Sequence, residues 1–310
     1  MQVICVDVLN FTNRFFGKPE TWSNMKIPCS RIRNFVKSAT YSGFRVVAFL
    51  DDCAVSEEAL AKTKERQVRN IHKGARRVPQ GSTAILGDIF ERCGCSVHYS
   101  KERDNDDTLA YYASVHYANA VVLSADKDFF RYTGHTYKVY ENFRVIIGGG
   151  LELVEKPPPM NPSSERVLPD SCPATTGEMR FVSGGKLSKG VPTPLLKQLG
   201  ISPHRVLQPL RKALYASLKV SRVIESYPEW NEDTRQVTWC CDKVDADLKL
   251  DYLLRKPLQA LDYFFPYTEK PKSVTDEDWS RHNFCMKSLV FEICAEAQGR
   301  RLLDLFLEFS

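Results

Sequence analysis

Val46-Val47-Ala48-Phe49-Leu50 runs straight into Asp51-Asp52, and the pattern recurs twice: Val3-Ile4-Cys5-Val6 ends at Asp7, and Val121-Val122-Leu123 leads into Ser124-Ala125-Asp126-Lys127-Asp128. Short unbroken apolar runs of this kind read as strands buried on both faces, the condition of a parallel sheet packed between helices. Ligands of such a sheet gather beyond the carboxyl ends of its strands, so acids placed there converge although they lie far apart in sequence. A fourth acidic group, Asp104-Asn105-Asp106-Asp107, opens a predicted helix just ahead of the third run. Two carboxylates about 4 Å apart repel by about 4 kcal/mol at an effective dielectric near 20. The arrangement therefore calls for cations.

Working outward, residues 2 to 150 alternate strand-like and helix-like runs, which predicts an α/β layer with a mostly parallel sheet flanked by helices. Helices are expected near 29–42, 56–75, 82–93 and 105–119, the first stopped by Ser42-Gly43, with a further short strand at Cys95 to Tyr99. Tyr137 to Val154 reads as two edge strands joined at Gly148-Gly149-Gly150, a turn rather than a phosphate cradle because no helix follows it. Lys156-Pro157-Pro158-Pro159 through Thr176 is rich in proline and serine and reads as a linker or long surface loop. Helical spacing over Pro194 to Val223, Leu248 to Phe264 and Phe284 to Phe309 predicts a mainly α carboxyl-terminal part. The expected organisation is an α/β domain over 1–155, a linker or loop over 156–178 and a mainly helical region over 179–310.

The 310 residues, 43% of them hydrophobic, suffice for one large or two modest soluble domains. No apolar stretch approaches the ~18 residues that span a bilayer, and the amino-terminal residues lack signal-peptide character, so an intracellular protein with no membrane partner is expected. Ten scattered cysteines, several inside apolar runs, suit reduced thiols. Cys93-Gly94-Cys95 with His98 offers at most three zinc ligands, and no second cluster completes a tetrahedral set. A formal charge of +5 is mild enough that its distribution matters more than its sum.

Taken singly, each acid has an ordinary explanation. Asp104, Asp106 and Asp107 suit a helix start, where caps and dipole complementarity stabilise by about 1 kcal/mol. Asp51 and Asp52 suit a turn after a strand, and Asp126 with Asp128 suits the start of the next helix. Capping does not explain why every group falls at the same end of the sheet, or why Asp7 closes the first strand with Asn10 just beyond it. Oxygen-only donors select magnesium or manganese, and one or two such ions suffice for hydrolysis of a phosphodiester.

The order of these motifs resembles that of the PIN-like nucleases. Asp7, Leu50-Asp51-Asp52, Asp104-Asn105-Asp106-Asp107-Thr108-Leu109-Ala110 and Leu123-Ser124-Ala125-Asp126-Lys127-Asp128-Phe129 are most similar to the flap-endonuclease and asteroid-type branch. The resemblance, which covers about the first 135 residues, implies a PIN/FEN-like fold. It also implies metal-binding, catalytic carboxylates at Asp7, Asp51, Asp104, Asp106, Asp126 and Asp128. Asp106 rather than Asp107 pairs with Asp104 by its spacing to Leu109-Ala110. Mg2+ or Mn2+ is the implied cofactor, in one or two sites, and DNA or RNA the implied partner. Asp52 stands where that branch has glycine, no glycine-started arm precedes the first strand, and no glycine-rich helix-hairpin-helix follows. Leu195 to Ser217 is similar to an asteroid-type helical segment without its acidic ending.

Lys62, Arg66, Arg69 and Lys73 recur at helical spacing within the basic segment Glu57 to Arg77 and would line one face. Directly after Asp51, such a stripe resembles the basic gateway of flap endonucleases and is expected to contact phosphates; a solvated face is the plainer reading. Lys127, Arg131 and Tyr132 are further candidates for strand contact, with Tyr132 equally suited to the core. Three functions compete. The first is a divalent-metal nuclease, flap-type in its finer form. The second is a non-catalytic nucleic-acid-binding or scaffold protein that keeps the fold. The third, an aspartate-dependent phosphatase, lacks the D-x-D expected after the first strand, since Val8 and Leu9 follow Asp7.

Overall fold

The structure is a computed structural model. It describes residues 1–51, 61, 65, 68–69, 81–100, 104–158, 164–172, 174–175, 186–187, 203–231, 233–234, 236–266 and 269–309. The chain divides into two compact units. One comprises Met1–Gly17, Lys26–Ala59 and Ile85–Met179; the other comprises Lys18–Met25, Leu60–Ala84 and Arg180–Ser310.

The first unit is built on β1 (Gln2–Asp7), α1 (Thr12–Phe16), α2 (Lys26–Tyr41), β2 (Phe44–Asp51), α3 (Ser82–Arg92), β3 (Ser96–Ser100), α4 (Asn105–Tyr111) and β4 (Val121–Leu123). There follow β5 (Tyr132–Thr133), β6 (Lys138–Val145), β7 (Leu151–Glu155), β8 (Arg166–Val167) and β9 (Ala174–Thr175). The main sheet has the order β7-β6-β4-β1-β2-β3-β9. Its five central strands are parallel, and β7 and β9 close its two edges antiparallel. The chain thus winds outward from β1 through β2 to β3, returns, and winds the other way through β4 to β6. That reversal puts a topological switch point between β1 and β4, where open α/β sheets leave a crevice at the strands' carboxyl ends.

Both faces of the sheet are covered, as the unbroken apolar runs require. Val3 and Cys5 of β1, with Val47 and Phe49 of β2, pack against Leu109, Ala110 and Ala113 and against Phe129, Tyr132 and Tyr137. Ile4, Val6, Val46, Ala48 and Leu50 alternate with them and point the other way, each at most 4% exposed. Among the helical residues that precede and follow β2, Phe15, Phe35 and Phe90 form an edge-to-face aromatic cluster with centroids 5.7 to 6.4 Å apart, and Phe35 meets Phe143 of β6 at 4.5 Å. Helix and sheet approach closely at Gly87 of α3, where any Cβ would run into the hydroxyl of buried Tyr99.

Several elements differ from expectation. The segment expected as a linker or long surface loop carries β8, which pairs parallel with β5, and β9, which pairs antiparallel with β3 at the sheet's edge. The helix expected to run to 119 is regular only to Tyr111, widens into a π turn over Tyr112–His116 and ends before the left-handed Asn119. The helix expected at 56–75 falls largely outside the described residues.

The second unit is mainly helical, with α5 (Pro203–Val206), α6 (Gln208–Ser217), α7 (Pro257–Phe264), α8 (Asp276–Gln298) and α9 (Leu302–Glu308). It also holds a long hairpin, β11 (Arg222–Asn231) with β12 (Gln236–Asp245), flanked by the short parallel β10 (Lys186–Leu187). The carboxylate of Glu225, on the buried face of β11, accepts from Arg211 Nε at 2.7 Å and Nη2 at 2.8 Å, from Tyr215 at 2.5 Å and from His204 Nε2 at 3.0 Å. Burial alone would raise its pKa, but the bonds and charge of Arg211 and His204 outweigh it and hold the carboxyl well below the usual range. Among the described residues no helix is long and apolar enough to cross a membrane.

Candidate metal centre

Asp7 closes β1 and is 4% exposed, with its side chain fixed before any ligand is considered. Its Oδ2 accepts from Ser124 Oγ at 2.9 Å and also from Asn10 Nδ2. Ser124 is fully buried just beyond β4, and the same Oγ accepts the Asp126 backbone N–H at 3.1 Å. One hydroxyl therefore joins the two sides of the switch point. The loop tightens further because Asp126 Oδ1 accepts the Asp128 N–H at 3.0 Å. Lys156, buried where β7 ends, donates through Nζ to the carbonyl of Ala125. Neither Ser124 nor Lys156 announces this role in the sequence, where one reads as strand-end polarity and the other as the start of a linker.

Asp51 ends β2, next to β1. Asp104 sits at the N-cap of α4, yet its side chain makes no capping bond; its carbonyl accepts the Thr108 N–H instead. Asp106 lies in the first turn. These acids act on one another. Burial, then Asp51 and Asp126, pushes the Asp7 carboxyl up to about 7 against the pull of Ser124 and Asn10. Burial, then Asp7, Asp104, Asp126 and Asp51, pushes Asp106 up to about 8. Asp7, Asp51, Asp104, Asp106 and Asp126 thus share one electrostatic neighbourhood at the carboxyl edge of the sheet.

Two other acids turn elsewhere. Asp128 pairs with Arg131 at 3.0 Å. Asp107 is buried, its Oδ1 accepting from Tyr132 at 2.7 Å and its Oδ2 from Arg166 Nη2 at 2.7 Å. Tyr132 is a core residue, 1% exposed, and offers no ring for a base to stack on. Lys127 is exposed beside the acids, whereas Arg131 also donates to Ser164. Of the basic stripe, Arg69 is an exposed helical residue, while Lys62, Arg66 and Lys73 lie outside the described residues.

Among the described residues no three His, Cys, Asp or Glu stand close enough to close around a single ion. The donor set is all oxygen, at the carboxyl ends of the central strands, and this fits a hard cation that keeps several waters better than a closed zinc site.

No protein-family profile matches the chain, and no curated protein matches it in sequence. Among solved structures, a bacteriophage T5 flap endonuclease in a pseudo-enzyme–product complex with DNA and metal ions aligns over 100% of this chain and 97% of its own, at 13% identity and a TM-score of 0.29. A T5 5'-exonuclease with bound zinc ions aligns over 100% and 98%, at 15% identity and a TM-score of 0.31.

Proposed function

We propose that the first unit is a PIN/FEN-like, divalent-metal-dependent nuclease that hydrolyses phosphodiester bonds in DNA or RNA. What supports this reading is that Asp7 and Asp106, raised first by burial and then by neighbouring carboxylates, stand with Asp51, Asp104 and Asp126 at the carboxyl edge of the sheet. Such a cluster lowers its own repulsion by binding cations. Asp7, Asp51, Asp104, Asp106 and Asp126 would hold Mg2+ or Mn2+, in one or two sites, with Asp128 at the outer margin once released from Arg131. Bound there, the metal supplies an activated water and a charge at the leaving oxygen. The chain's own part is to fix the carboxylates: Ser124 holds Asp7 and the Asp126 backbone in register, and Lys156 pins the loop between them. The finer reading is a flap-type enzyme with the stripe Lys62, Arg66, Arg69 and Lys73 as its strand contact.

A second reading, a non-catalytic nucleic-acid-binding or scaffold protein, is favoured by the open spacing of the acids among the described residues. One assay separates the two. Labelled single-stranded, duplex and flapped DNA and RNA are incubated with the protein in Mn2+, beside the double variant Asp126→Ala/Asp128→Ala. Metal-dependent cleavage lost in the variant supports the enzyme; binding without cleavage supports the scaffold.

A further inference from the structure

We infer that Arg166 forms a phosphate-binding subsite at the rim of the acidic cluster, receiving a phosphodiester oxygen of a bound strand. The inference rests on the reading of the aspartates given above and adds a residue to it. Arg166 comes from the proline- and serine-rich segment, far from every acidic motif in sequence. Its Nη2 donates to Asp107 Oδ2 at 2.7 Å, and Asp107 is the next residue after Asp106. Its guanidinium carbon lies over the Tyr132 ring at 5.6 Å. Asp104 and Asp106 act on its charge as well, after Tyr132 and Asp107.

The side chain is held from several directions and still open on one. Asp107 keeps only 11% of its side-chain surface exposed, whereas Arg166 keeps 33%. Guanidinium carries five N–H donors in a fixed fork, and the bond to Asp107 occupies Nη2. The backbone is fixed too. Tyr132 of β5 pairs with Arg166 of β8, and Arg131 donates to the Ser164 carbonyl at 3.0 Å and to Ser164 Oγ at 3.3 Å. A guanidinium already ordered by its neighbours loses little further freedom on binding. A planar donor beside acids that would hold cations matches a phosphate whose other oxygens face those cations. Asp107 is then the bracket of this cation rather than a sixth carboxylate of the cluster.

The test uses the full chain and two titrations: Mn2+ alone, and a short labelled single-stranded oligonucleotide over a range of salt. Arg166→Ala is expected to weaken oligonucleotide binding about tenfold and to flatten the dependence of log affinity on log salt by about 0.7. Mn2+ binding should be unchanged or tighter, since a cation has been removed from beside the acids. Arg166→Lys should keep the salt slope and lose part of the affinity. If Arg166→Ala loses the fold, Arg166→Gln, which can still donate to Asp107, is read on the same titrations. Unchanged oligonucleotide affinity and slope overturn the subsite. Parallel loss of Mn2+ and oligonucleotide binding also overturns it, because a mere bracket would act that way. Wild-type protein that binds neither probe overturns the aspartate reading and this inference together, whereas wild type that binds both with an indifferent variant overturns only this one.

Discussion

Ser124, just beyond β4, donates to Asp7 at the end of the adjoining β1 while the same oxygen accepts the Asp126 amide, so a serine rather than an acid links the two strand ends of the centre. Ser124→Ala leaves the buried Asp7 carboxylate short of a donor, at an expected cost of about 1–3 kcal/mol in chemical denaturation. It also removes a bond that lowers the Asp7 pKa. Mn2+ affinity near neutral pH should fall and recover in more alkaline buffer. Equal loss at both pH values would show that Ser124 acts only on the fold.

The Asp7 carboxyl stands at about 7 in the folded protein against an ordinary 3.8. Between those values the folded chain keeps a proton that the unfolded chain has lost, so this group's contribution makes stability fall as pH rises. In EDTA, the stability of Asp7→Asn minus that of wild type should therefore grow from about pH 4 to about pH 7 and level off above. Histidines whose pKa burial lowers, such as His282 and His204, act in the opposite sense, but they are present in both proteins and cancel in the difference. A difference curve flat with pH would show that burial and the neighbouring acids do not raise the Asp7 pKa.

Glu225 and Arg211 form a buried pair whose members are unequal to their absence. Arg211→Met alone should cost about 3–5 kcal/mol, because it strands a carboxylate at 0% exposure. Adding Glu225→Leu should recover most of that loss. Urea titrations of the two variants measure it, and a double variant as unstable as the single would mean that Tyr215 and His204, not charge, hold the unit.

Gly87→Ala adds a methyl where the Tyr99 hydroxyl already stands. Overpacking of this kind costs about 1–3 kcal/mol. Tyr99→Phe in the same chain should relieve much of it, as melting temperatures would show.

For the basic stripe, alanine at Lys62 and Arg66 should weaken binding across all sequences and reduce the salt slope by about 0.7 per lost contact on single strands or 0.9 on duplex. Metal binding should survive. An unchanged slope returns the stripe to the ordinary role of a solvated face.

The central strands were legible because burial on both faces writes them as unbroken apolar runs, and the turn at Gly148-Gly149-Gly150 because two of its residues take positive φ. β5, β8 and β9 were not: two residues carry no periodicity, and only their partners make them strands. β11 hides for another reason. Its inward positions Val223, Glu225 and Tyr227 include an acid, so the alternation that marks a strand is broken at the residue that matters most. At the centre, the acids could be read from their place at strand ends, but Ser124, Lys156 and Arg166 act only through tertiary contacts. No local pattern distinguishes them.

The position of β1 between β2 and β4 also governs how the chain can be cut. Until Val121–Leu123 are in place, Val3-Ile4-Cys5-Val6 has a neighbour on one side only, and the other side is a row of unpaired amides and carbonyls on an apolar ribbon. Such an edge is a template for pairing with another chain. Fragments ending before β4 should therefore collect as aggregates, and any shortened version meant for study must carry the sheet through β6.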